Sequence, residues 1–64
     1  MLSVPDRGKL MQSSEAAGVL VKNLRALVSA DNALLGEFAL EILQEAVKID
    51  QKIKRIETIA EEGV

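Results

Sequence analysis

"IDQKIKRIETIA", residues 49–60, sets an isoleucine every three or four positions and fences each one with lysine, arginine or an acid. On a helical wheel turning about 100° per residue these isoleucines align along one narrow edge, so the stretch predicts a helix whose oily edge has to be covered. The pattern extends upstream. Leu35, Ala39, Ile42, Ala46, Ile49, Ile53, Ile56 and Ala60 alternate steps of four and three, which is heptad spacing. A long helix is therefore expected over residues 32–62, with Asn32 as its cap and Gly63 just past its end. Asp50 and Lys54 form an acid-to-base pair one turn apart in the favourable order.

Before this helix, "SADN" at residues 29–32 holds three cap- and turn-forming residues and no apolar side chain larger than alanine. It reads as a tight connection that sets two helices antiparallel. The partner is expected to be a short helix over residues 14–29, capped by Ser13 or Ser14. Ala16, Ala17, Leu20, Val21, Leu24, Leu27 and Val28 share one arc of its wheel, and Glu15, Lys22 and Arg25 lie opposite. Gly18 falls on the polar side, where it weakens the helix without opening the core. Residues 1–12 read as a flexible N-terminal tail, because Pro5, Asp6 and Gly8 crowd a stretch without helical periodicity; the alternative is a short turn of helix starting near Pro5, since proline suits a first helical position. One hairpin domain over residues 13–64 is the expected organisation, in an all-α fold.

The two expected helices differ in length. At 1.5 Å per residue, about 16 residues reach roughly 24 Å and about 30 residues reach roughly 45 Å. Folded back, the first helix would leave Ile49, Ile53, Ile56 and Ile59 without a partner in the chain. With 64 residues the core is small, and the lack of cysteine and histidine removes disulfides and an ordinary structural zinc site as staples. Self-association remains. The expectation is an antiparallel four-helix-bundle homodimer, with Leu35, Phe38, Ile42, Ala46, Ile49, Ile53, Ile56 and Ala60 at the dimer interface. Charge placement points the same way. Glu37, Glu41 and Glu45 precede Lys48, Lys52 and Arg55 along one arc, so antiparallel pairing sets Glu45 against Lys48 and Glu41 against Lys52 of the other copy.

Composition narrows the function by elimination. A net charge of −2 and a pI near 5.0 do not suit a general binder of nucleic acid or of anionic membranes. The longest apolar run, "AAGVLV", falls well short of the roughly 20 residues of a membrane span. No signal-peptide stretch opens the chain, so a cytoplasmic location is expected. Without histidine, cysteine or tyrosine there is no triad base or thiol nucleophile. Glu37, Glu41 and Glu45 read as a solvated face rather than a metal site, because the Glu-x-x-His element of di-metal bundles is missing. No catalytic, cofactor or metal residue is assigned, and no small-molecule substrate or membrane contact is expected. The chain reads as a non-enzymatic adaptor, chaperone-like protein or regulator that works through contacts with itself and with another protein. Leu40, Leu43 and Val47 are the candidate patch for that protein. The alternative is a regulator that binds structured RNA through the basic stripe of Lys48, Lys52 and Arg55. Phe38, the single aromatic residue, belongs to the apolar face and is not free to stack on a base.

Overall fold

The computed structural model describes residues 2–61, with the side chains described up to Ala60. Two α-helices, α1 (Val4–Val28) and α2 (Ala33–Glu61), form a hairpin joined by a turn over residues 29–32. The turn closes as its residues suggest. Ser29 and Ala30 donate their N–H groups to the carbonyls of Ala26 and Leu27, and the Asn32 side chain accepts from the Leu35 N–H at 2.9 Å to cap α2. The expected end of α2 at Glu62 and Gly63 lies outside the described residues.

The start of α1 corrects the sequence reading. The helix begins at Val4, not near Ser14, and most of the expected tail over residues 1–12 belongs to it. Three local devices start it early. The Ser3 hydroxyl accepts from the Asp6 N–H at 3.2 Å, Pro5 sits in the first turn where its missing donor costs nothing, and the Asp6 carboxylate faces the positive helix end. Together they offset the penalty of up to about 1 kcal/mol that Gly8 imposes on a helix interior. Ser13 and Ser14 then fall mid-helix, and Ser14 is buried against α2.

With α1 at 25 residues and α2 at 29, the expected length mismatch disappears. α1 accompanies α2 along its whole length. Gly36 lies against the Val28 backbone beside the turn, and Leu2, Arg7, Leu10 and Met11 meet Glu57 and Ala60 at the far end. The facing rows both follow heptad steps. Leu10, Ser14, Ala17, Val21, Leu24 and Val28 form the row on α1, and Gly36, Ala39, Leu43, Ala46, Asp50, Ile53, Glu57 and Ala60 the row on α2, with Gly18 and Val47 half-buried beside them. Small residues on both sides let the helices approach closely, and Val21, Leu24 and Ala46 form the buried centre with Leu43 and Val47 packed on it.

Lys54 clamps the helices together. Its ammonium donates to the Ser14 hydroxyl at 2.7 Å, to the Ser14 carbonyl at 3.0 Å and to Asp50 Oδ1 at 2.9 Å, which uses all three of its protons. Lys54→Met keeps the aliphatic stem and removes the donors. It is expected to lower stability by about 1 kcal/mol, since the group is half exposed. Adding Ser14→Ala to that variant is expected to cost much less than it does alone, as read by urea unfolding; two fully additive losses would show that the clamp does not couple the helices.

Candidate protein-interaction face

The seam leaves much apolar surface uncovered. Only Ala17, Val21, Leu24, Ala39 and Ala46 are buried among the hydrophobic residues described, and no large side chain is fully enclosed. The hairpin is a rod of 46 × 16 × 11 Å with a radius of gyration of 14.6 Å, against about 11 Å for a compact chain of this length. It exposes 5012 Å², whereas a folded monomer of its mass is expected to expose about 4,000 Å².

The exposed apolar residues are not scattered. Arg25 of α1 shares a shallow surface groove with Leu43, Gln44, Val47 and Lys48 of α2, and Lys54 reaches Ser14 on the same edge, which marks one side of the hairpin. At about 100° per residue, Leu20 and Leu27 lie across the α1 seam from Arg25, and Leu35, Ile42, Ile49 and Ile56 lie across the α2 seam from Val47. Both sets therefore share the opposite side. Ile42, Ile49 and Ile56 are 49%, 53% and 51% exposed there. A second row just outside them on α2 reads Phe38, Glu45, Lys52 and Ile59, so the open face is apolar at both ends and carries one acid and one base near its middle.

The heptad edge seen in the sequence is thus the boundary between two surfaces. Ala39, Ala46, Ile53 and Ala60 turn onto α1, whereas Leu35, Ile42, Ile49 and Ile56 face outward. Of the residues assigned to a dimer interface, Leu35, Phe38, Ile42, Ile49 and Ile56 lie together on the open face. Ala46, Ile53 and Ala60 are already covered or half covered by α1. Ile59 and the α1 residues Leu20 and Leu27 belong to the face and were not assigned to it; the signal for Ile59 was its step of three from Ile56. The patch of Leu40, Leu43 and Val47 is divided too. Leu43 and Val47 pack on the hairpin core, and Leu40 stays half exposed beside them.

The basic stripe runs unbroken along the outer side of α2. Lys48 lines the shallow groove beside Arg25, Arg55 lies on the outer side of α2, and Lys52, one turn from each, borders the apolar face. Among the described residues no three acidic side chains come together to hold a metal ion, and no helix is long and apolar enough to cross a membrane. A cavity of about 120 Å³ at the far end is lined by Leu2, Arg7, Leu10, Met11, Glu57 and Ala60, smaller than the roughly 300–1,000 Å³ of ligand pockets. No protein family, curated protein or solved structure matches the chain.

Proposed function

We propose that the hairpin is a protein-interaction module that pairs with a second copy through its open apolar face, closing an antiparallel four-helix bundle, and acts through protein contacts rather than by catalysis. The observation that carries this reading is the contiguous row of half-exposed Ile42, Ile49 and Ile56 beside Leu20 and Leu27, on a hairpin whose own core is mostly alanine and valine. A core of this size supplies no more than about 3–5 kcal/mol, so covering that row is the largest gain open to the molecule. Missing chain length, the reason the sequence suggested, is not the cause. The cause is direction: a two-helix hairpin covers one side of each amphipathic stripe and leaves the other wet.

A role as an adaptor, chaperone-like protein or regulator follows from this reading, with the half-exposed Leu40, beside Leu43 and Val47, left on the opposite edge for another protein. The nucleic-acid alternative gains no observation, since Lys52 borders the apolar face that a second copy would cover and Phe38 lies within that face. Sedimentation equilibrium is the test. At micromolar concentration a species of twice the 6.9 kDa chain mass is expected. A fully helical species of single chain mass across the accessible concentrations would defeat the proposal.

A further inference from the structure

We infer that the second copy lies antiparallel about Ile49, with Glu45 of each chain paired to Lys52 of the other. This inference rests on the dimer reading and specifies its register. The outer row of the open face reads Phe38, Glu45, Lys52, Ile59 at steps of seven, an apolar residue, an acid, a base and an apolar residue. Reversed, it is its own complement. Antiparallel pairing about the midpoint of Glu45 and Lys52 sets each acid against the opposite base and Phe38 against Ile59. Within one residue of the same centre, Ile49 meets its own copy and Ile42 meets Ile56.

Parallel pairing of the two α2 helices would instead stack Glu45 on Glu45 and Lys52 on Lys52. Charges inside an otherwise apolar row are costly to cover unless each meets an opposite charge, so their placement selects one orientation. Glu41 and Lys48, the expected partners of Lys52 and Glu45, lie on the outer side of α2 away from the face. This moves the centre from near Ala46 and Val47 to Ile49.

Charge reversal reads the register directly, because neither side chain bonds to anything within the hairpin among the described residues. Glu45→Lys turns two attractive pairs per dimer into two repulsive ones and is expected to raise the dimer dissociation constant about tenfold at low salt, as is Lys52→Glu. The double variant is expected to recover most of that loss. Two single variants that leave the constant unchanged in a persisting dimer would overturn the register and leave the dimer reading intact. A monomeric wild type would overturn both. Since the chain has no cysteine, an independent measure is oxidation of Phe38→Cys mixed with Ile59→Cys. Mixed disulfide-linked dimers are expected to dominate; dominant linkage of each variant to itself would place the helices parallel and reject the register.

Discussion

Gly36→Ala is expected to melt about 4–8 °C below the wild type, and Gly18→Ala to melt above it by up to about the same margin, in circular-dichroism scans at matched concentration. The two substitutions add the same methyl group to a helix, so intrinsic propensity alone would favour both by up to about 1 kcal/mol. Their surroundings differ. A Cβ at Gly36 would stand 2.8 Å from the Val28 carbonyl oxygen, whereas one at Gly18 meets nothing within 4 Å. Both atoms of the Gly36 contact are fixed by backbone, so relief requires the helices to part beside the turn. That loosens the adjoining Leu24 and Ala39, and overpacking of this kind costs about 1–3 kcal/mol, more than the propensity gain. Gly36 is also in the first turn of α2, where the propensity benefit is smallest. A rise in melting temperature for Gly36→Ala would show that the close approach does not limit the hairpin. Gly36→Val extends the series and is expected to fall further.

Gly36 also shows which parts of the fold were legible in the sequence. The helical class, the turn at residues 29–32 and the cap at Asn32 could be read, because each depends on local chemistry that side chains carry openly. The direction of the seam could not. Gly36 has no side chain, while Ser14, Asp50 and Glu57 are polar residues that a hydrophobic wheel assigns to solvent, yet all four sit in the row between the helices. The wheel therefore rotated the α2 stripe toward its larger residues, Leu35, Ile42, Ile49 and Ile56. Of the stripe read from the sequence, the helix–helix contact took the small members Ala39, Ala46 and Ala60 and added Gly36, because short side chains permit close packing. Lys54 rewards the same choice by satisfying Ser14 and Asp50 together. The early start of α1 was missed for a related reason. A start near Pro5 reads only as a short turn, with Gly8 weighed as a breaker, whereas Ser3 and Asp6 three residues apart, with Pro5 between them, start a helix that runs on through Gly8. As for the candidate face, its α2 isoleucines were visible from spacing, but its α1 half, Leu20 and Leu27, required knowing which side Arg25 and Val47 share.

Ile49→Asp is expected to weaken self-association by at least about a hundredfold and to lower helicity at micromolar concentration, as read by sedimentation and far-ultraviolet circular dichroism. Each dimer carries the substitution twice. Every isoleucine removed forfeits up to about 1.5–3 kcal/mol of burial, and in the proposed register the two new carboxylates face each other beside the two-fold axis, where a like charge adds to the loss. The separated hairpin then depends on the Val21, Leu24 and Ala46 cluster, which is too small to hold both helices firmly. Dissociation and loss of helix are therefore expected together, and both should recede as protein concentration is raised. Val19→Asp provides the contrast. Val19 is as exposed as Ile49, at 56% against 53%, but it lies on the side of α1 opposite the seam, bordering Leu20 from outside the open face. The same change there is expected to leave the association constant within about threefold of the wild type, as ordinary surface substitutions do. If both variants dissociated alike, general loss of hydrophobicity would explain the result. If neither did, Ile49 would be shown to lie outside any interface. Only the divergence between the two assigns self-association to the face of α2 that α1 leaves open.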